Sequence, residues 1–197
     1  EFKFGITGLT SNINMQPLDK NQILGTVSAD LSVQNYQKPA QIEDVKIVQF
    51  KQFTGEDGTF EDMIRLDNAG HLQLFPDFQL KQINRSRVLA GTVKAWHIHM
   101  NQEDVWYIPP EDHMILGMWD TRENSATKDI KMRVVMGAGI SQWVYVPRGV
   151  AHGVVNVNNK IGSIIYLVNQ EYNINQPDEY RLPWDKAGAD FWEIKKG

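Results

Sequence analysis

Four residues in two short segments of this chain could hold or move charge together. The first segment is Gln82–Glu103, QINRSRVLAGTVKAWHIHMNQE, and the second is Val146–Asn156, VPRGVAHGVVN. Side chains on a β-strand alternate faces, so His97, His99 and Glu103, which share parity, converge on one side if the strand runs that far. A third imidazole, His152, can arrive from a strand that follows the Pro147-Arg148-Gly149 turn. Three ring nitrogens and one carboxylate oxygen make a ligand set suited to Fe, Mn, Zn, Ni or Cu. A histidine on a barrel wall can equally be a hydrogen-bonded core residue, and Glu103 can be a solvated loop residue just past the strand. Lys94 differs in parity from His97 and reaches the same face only if the strand bulges between them.

The elements that must position these residues read as strands. From Val45 onward, short apolar or β-branched runs alternate with turn signals: VKIVQFKQF, the turn GEDG, FEDMIRL, the turn DNAG, and HLQLF. Val105–Ile108 and Met114–Trp119 flank a Pro-Pro-Glu-Asp turn, Lys131–Met136 and Gln142–Val146 flank Gly137 and Gly139, and Gly162–Asn169 is a β-branched run. Many short strands at this spacing argue for an all-β sandwich or barrel. The one helix expected lies near Lys186–Trp192. Residues 1–44, with β-like pieces at Phe2–Ile6 and Ile23–Val33, read as an N-terminal extension, and 45–197 as the domain. Trp106, Trp119 and Trp143, with Met100, Met114 and Met118, read as packing.

At 197 residues one domain is the default, and 42% apolar content suffices for a real core. The net charge of −4 offers no basic footprint, so nucleic acid is not an expected partner. No apolar run is long enough for a membrane helix. The start EFKFGITGL lacks the basic and apolar runs of a signal peptide, and the chain has no cysteine, hence no disulfide or thiol nucleophile. A cytoplasmic location is the expectation.

Two resemblances rest on particular residues. The spacing Gly91, His97-x-His99, Glu103, then Pro147-x-Gly149-x-x-His152-x-x-x-Asn156 resembles the cupin signature, which implies a jelly-roll barrel. From about Val45 to the C-terminus the chain also resembles the dTDP-4-dehydrorhamnose 3,5-epimerase family, a branch of the cupins. The matching pieces occur in order: Gly55–Asp62, Gln82-x-Asn84-x-Ser86, Gly91-x-x-Lys94-x-x-His97, Trp119-Asp120-x-Arg122 followed by Ser125-x-Thr127, Val146–Gly153, Tyr166 with Tyr172, and Trp184-Asp185.

The second resemblance implies an isomerase that epimerises a 4-keto-6-deoxy sugar carried on dTDP or a related nucleotide, at C3, C5 or both, without a cofactor. His97 falls on the family's base and Tyr166 on its acid. Lys94 falls on the arginine that contacts the diphosphate, and His152 on the second barrel histidine. Gln82, Asn84 and Tyr172 fall on the nucleotide and sugar pocket. The family's dimer implies a homodimer, in which Phe60 or Asp62 approaches the partner's pocket. Three departures stand against this. The lysine that stabilises the enolate is replaced by Tyr107, the early arginine by Asp57, and the segment carrying the aspartate that orients the base is missing. The competing expectation is therefore a metal-dependent cupin isomerase or oxygenase acting on a small polar substrate, with His97, His99, Glu103 and His152 holding Fe, Mn, Zn or Ni. A binding module that kept the pocket and lost the chemistry is a third.

Overall fold

The computed structural model describes residues 16–34 and 40–195. The chain divides into two compact units, Glu1–Lys38 and Pro39–Gly197. In the first unit a 3-10 turn, Lys20–Gln22, is closed by a reciprocal cap in which the Asp19 side chain accepts from Asn21 N and Gln22 Oε1 accepts from Asp19 N. The expected piece Phe2–Ile6 lies outside the described residues. Ile23–Val33 is not a strand: Gly25–Ser28 is a single helical turn in which the Leu24 carbonyl accepts from Val27 N and Ser28 N. Among the described residues no strand pairs with it, and the segment satisfies its backbone locally.

The described residues of the second unit form fourteen strands. They are β1 (Lys46–Gln49), β2 (Gln52–Gly55), β3 (Gly58–Glu61), β4 (His71–Leu72), β5 (Phe75–Gln79), β6 (Gln82–Val88) and β7 (Val93–Ile98), followed by β8 (Asp104–Tyr107), β9 (His113–Asp120), β10 (Lys131–Gly137), β11 (Gln142–Val146), β12 (Val150–Asn156), β13 (Gly162–Val168) and β14 (Tyr180–Arg181). Two antiparallel five-stranded sheets, ordered β1-β11-β8-β13-β6 and β10-β9-β12-β7-β14, form the jelly roll. The run expected as one strand from Val45 breaks into β1 and β2. FEDMIRL contributes only Phe60 and Glu61 to a strand.

Alternation along the strands sorts side chains into three apolar clusters. Between the sheets lie Met114, Leu116 and Met118 of β9, Met136, Val144, Val154 and Ile164. Ile42 and Val45 join this interior, so residues just before the expected boundary at 45 already belong to the barrel core. Outside the first sheet, Val105, Tyr107, Trp143 and Leu167 are covered by Leu72, Phe75 and Phe78 of the β4–β5 hairpin. Outside the second sheet, Trp96, Ile98, Ile115 and Ala151 are covered by a C-terminal segment ending in a 3-10 turn, Ala189–Trp192. That turn is what remains of the helix expected from Lys186. Met100 was expected to pack but is half exposed, because the chain turns away from the sheet after Ile98.

Candidate active site

The bulge that the parity of Lys94 required is present. On β12, His152 faces His97 of β7, but Val154 faces Lys94, a slip of one residue in register. Ala95 and Trp96 therefore both turn to the outer cluster, and Lys94 and His97 both turn inward despite their unlike parity. Gly153 permits this: a β-carbon there would stand 2.3 Å from that of Ala95. A second glycine, Gly149 at φ 74°, ends the turn before β12 and ties it to β7 through Gly149 N and the His99 carbonyl, 2.8 Å apart.

These strands wall a cavity of about 600 Å³ at one end of the barrel. Gln82, Asn84 and Ser86 line it from β6, and Asp104 and Trp106 from β8. His152 comes from β12, Tyr166 from β13, and the segment 170–181 crosses the mouth. Thus His97, His99, Lys94, His152, Tyr166, Tyr172, Gln82 and Asn84 all line one space. Lys94 Nζ donates to Ser86 Oγ. Gln82 Nε2 donates to Asn84 Oδ1 at 2.6 Å, and Tyr172 N to Gln82 Oε1 at 3.0 Å.

His97 is held by two residues that sequence reading missed. Its Nδ1 lies 3.1 Å from Glu179 Oε1, and Arg181 Nη1 donates toward its Nε2 at 3.1 Å. Arg181 Nη2 also pairs with Glu179 at 2.9 Å. Burial, then His152, Arg181, His99 and Lys94, push the His97 pKa down to about 3. These effects outweigh one carboxylate whose charge is shared with a guanidinium. The ring is thus neutral near pH 7, with Nδ1–H donating to Glu179 and the lone pair on Nε2. A carboxylate thus meets His97, although the segment that carries the family's aspartate was read as missing. Glu179 immediately precedes β14, which pairs with β7 at Tyr180↔Ile98 and Arg181↔His97. The charged run Asp178-Glu179-x-Arg181 was the only signal of it in the sequence.

Behind His97 lies a buried polar set. His152 Nδ1 is 3.0 Å from the Val150 carbonyl, and its Nε2 is 3.2 Å from Asp104 Oδ2. Asp104 also accepts from Gln102 Nε2 at 2.8 Å and Trp106 Nε1 at 3.0 Å. Burial alone would raise the Asp104 pKa, but the bonds from His152 and Trp106 and the nearby His99 lower it. His99 Nδ1 meets the Asp178 carbonyl, and the Asp178 carboxylate accepts from Met100, Asn101 and Gln102 N at 3.0, 2.7 and 2.7 Å. Trp106, read from sequence as packing, stands between His152 and Tyr166, with ring centroids 5.3 and 5.9 Å away. Burial, Asp104 and Glu179 raise the Tyr166 pKa, which keeps its hydroxyl protonated.

The four-ligand set His97, His99, Glu103 and His152 is not brought together. Glu103 turns to Asn169, at 3.3 Å, and Arg148, at 3.4 Å. The chain leaves β7 after Ile98 and re-enters a sheet at Asp104, so alternation counted from His97 does not survive the turn. The carboxylate beside the imidazoles is Asp104: one ligand atom each of His99, Asp104 and His152 lies within 4.8 Å of the other two. The polar atoms of this trio are engaged by Gln102, Trp106, Val150 and Asp178, and we read it as a hydrogen-bonded set, not a ligand shell. Tyr107 lies on the outer face of β8, its hydroxyl 3.3 Å from Glu61, and does not line the cavity. Phe60, two-thirds exposed and paired with Phe53, and Asp62, paired with Arg65, lie outside this chain's own cavity.

The chain is similar to known proteins. The profile described as dTDP-4-dehydrorhamnose 3,5-epimerase matches residues 39–192. The chain is 33% identical over 150 residues to the spore coat polysaccharide biosynthesis protein SpsL of Bacillus subtilis, covering 76% of this chain and 95% of that one. It is 28% identical over 129 residues to the probable low-salt glycan biosynthesis epimerase Agl13 of Haloferax volcanii, covering 62% and 83%. In fold it resembles the dTDP-6-deoxy-D-glucose-3,5-epimerase RmlC of Legionella pneumophila, solved with dTDP-4-keto-L-rhamnose (TM-score 0.67, 20% identity, covering 80% and 83%). It likewise resembles a dTDP sugar isomerase of Desulfovibrio desulfuricans (TM-score 0.63, 23% identity, covering 78% and 91%). The chain therefore belongs to the dTDP-4-dehydrorhamnose 3,5-epimerase family and is an enzyme of the sugar-nucleotide epimerase and isomerase class.

Proposed function

We propose that the chain epimerises a dTDP-linked 4-keto-6-deoxyhexose at C3, C5 or both, with His97 as base and Tyr166 as acid. The observation that carries this is a neutral, carboxylate-oriented imidazole sharing a cavity with a protonated tyrosine. His97 Nε2 takes the proton from the carbon beside the ketone, and the electron pair of that C–H bond moves through the new C=C bond to the carbonyl oxygen. Tyr166 O–H returns a proton from the opposite face, and solvent resets both groups. Lys94 would meet the diphosphate as a point charge, while Gln82, Asn84, Tyr172 and His152 contact sugar and base. No cofactor enters these steps. We further propose a cytoplasmic homodimer in which the exposed Phe53–Phe60 hairpin brings Phe60 or Asp62 to the partner's cavity. A monomer by light scattering at micromolar concentration would refute that assembly.

The test is deuterium wash-in from D2O beside the ketone of dTDP-4-keto-6-deoxyglucose. His97→Asn is expected to abolish it. Tyr166→Phe is expected to permit exchange but return the starting stereoisomer labelled. Wild-type protein that binds this sugar nucleotide yet exchanges no proton at either neighbouring carbon over hours refutes the reading. A second reading, a metal-dependent cupin isomerase or oxygenase on a small polar substrate, has in its favour the proximity of His99, Asp104 and His152. We expect less than a tenth of an equivalent of transition metal in protein purified without added metal. Near one equivalent, lost in His99→Ala, would favour the second reading.

A further inference from the structure

Proton abstraction beside a ketone places negative charge on the carbonyl oxygen, and a hydrogen-bond donor must meet it. The residue on the family's lysine position, Tyr107, is on the wrong face of β8 to serve. Of the residues lining the cavity, only Lys94 and Arg181 carry a lysine or arginine head group, and Lys94 is engaged with Ser86 at the far end of the β7 bulge. Arg181 stands on the abstracting nitrogen itself, Nη1 to Nε2 at 3.1 Å, and its second arm rests on Glu179.

That contact has two sides. A guanidinium is a pure donor that does not release its proton, so while it holds Nε2 the lone pair of the base is occupied. The base becomes available only when Arg181 is drawn elsewhere. Its side chain is 53% exposed, so the head group can swing without repacking the core, and the arm on Glu179 keeps the swing short. In any pose that brings the carbon-bound proton to Nε2, the ketone oxygen is two bonds from that proton's carbon. It therefore lies beside the place Arg181 occupies at rest. Building on the epimerase reading, we propose that Arg181 caps His97 in the free enzyme and, once substrate enters, transfers its Nη1–H donor to the ketone oxygen and stabilises the enolate. No group is gained or lost in the transfer: one N–H···N bond is exchanged for one N–H···O bond. The Nε2 lone pair is uncovered by the same substrate that it deprotonates.

Arg181→Gln and Arg181→Lys test this, each checked for fold by circular dichroism. The β14 pairing is a backbone ladder, so both variants are expected to keep it. Arg181→Gln is expected to slow deuterium wash-in at saturating dTDP-4-keto-6-deoxyglucose by about 10²–10³-fold, the usual loss on removing an oxyanion donor. The dissociation constant for dTDP by calorimetry should stay within about twofold. Arg181→Lys, which keeps a charged donor, should recover about tenfold. Removing a cation from Nε2 should also move the His97 midpoint upward by imidazole nitrogen NMR, a readout that needs no substrate. A wild-type rate in Arg181→Gln overturns the assignment, and so does an unmoved His97 midpoint. Weaker dTDP binding with an unchanged saturated rate would make Arg181 a phosphate ligand instead. An inactive wild type sinks the epimerase reading and this inference with it, whereas an active wild type with an indifferent Arg181→Gln sinks this inference alone.

Discussion

Two buried carboxylates, Asp104 and Asp120, sit on strands of the same barrel and do different work. Asp120 is fully buried and accepts from Arg122 Nε, Arg122 Nη2, Ser125 Oγ and Thr127 Oγ1 at 2.9, 3.0, 2.6 and 2.7 Å. Arg122 in turn reaches Asp44 Oδ2 and the Glu43 carbonyl, pinning the entry of the chain into the barrel. Its side-chain partners are Arg122, Ser125 and Thr127, and Asp120 does not line the cavity. Asp104 instead faces two imidazoles and an indole at the wall of the cavity. A guanidinium keeps its charge whatever its partner, so the first centre is a fixed ion pair. The second lines the cavity, where substrate can reach it. A motif that stands out in the sequence, Trp119-Asp120-x-Arg122 with Ser125 and Thr127, proves to be a clamp.

Substitutions can break this contrast. The largest effect is expected of Asp120→Asn, which leaves the Arg122 guanidinium buried against an amide. It should cost about 3–5 kcal/mol of stability in urea unfolding, with kcat per folded molecule changed less than threefold. Asp104→Asn is expected to lower kcat about 100-fold while costing less than half that stability, because the amide keeps an oxygen to accept from Trp106 and Gln102 and leaves no guanidinium unpaired. If the two variants exchange signatures, the assignment of clamp and site is wrong.

Acidity separates the centres again. The Asp120 pKa is held well below the ordinary carboxylate value, since the bonds from Arg122, Ser125 and Thr127 outweigh the opposing effect of burial. Its contribution is present above about pH 4 and is lost as pH falls below that toward the folded-state value. Acid unfolding of the wild type should thus steepen below about pH 4, and Asp120→Asn should flatten that limb. His97 runs from about 6.5 unfolded to about 3 folded, so the unfolded chain binds more protons between those values, and stability rises with pH across that window. For the same reason the acid limb of kcat/KM should fall well below pH 6. A limb centred near 6.5 would mean that Glu179 or substrate holds His97 far more basic than the free site does. The smallest effect is expected of Tyr107→Phe, less than twofold on kcat, because that hydroxyl meets Glu61 outside the cavity. A hundredfold loss would restore the family's lysine position to the chemistry.

The barrel was legible because short apolar and β-branched runs are punctuated by turn residues, even though β8 and β12 are buried along their whole length. That His97 and His152 face one another follows from strand spacing, whereas Lys94 and Tyr166 were singled out by the family resemblance alone. The carboxylates were not. Glu103 and Asp104 are neighbours on the chain, and which one turns inward depends on a turn, 99–103, that resets parity. Glu179 was hidden because its place comes from a two-residue strand that no periodicity announces, eighty-two residues from the histidine it orients. Tyr107 shows the same limit, since counting ten residues from His97 crosses that turn and lands on the wrong face.

The proposed base and the carboxylate beside it belong to elements of unequal persistence. His97 stands on a six-residue strand paired along one edge with the seven-residue β12, whereas Glu179 just precedes the two-residue β14 and Arg181 lies on it, a segment tied down by the Asp178 carboxylate and the Leu182–Trp96 backbone pair. A segment held by so short a ladder opens at lower free energy than the sheet it covers. Heating or dilute denaturant should therefore silence the enzyme while the barrel is intact, with amides near Arg181 exchanging with solvent long before those of β9 and β12. The temperature at which catalysis fails and the temperature at which the fold fails become two separate properties of the chain, open to selection one at a time.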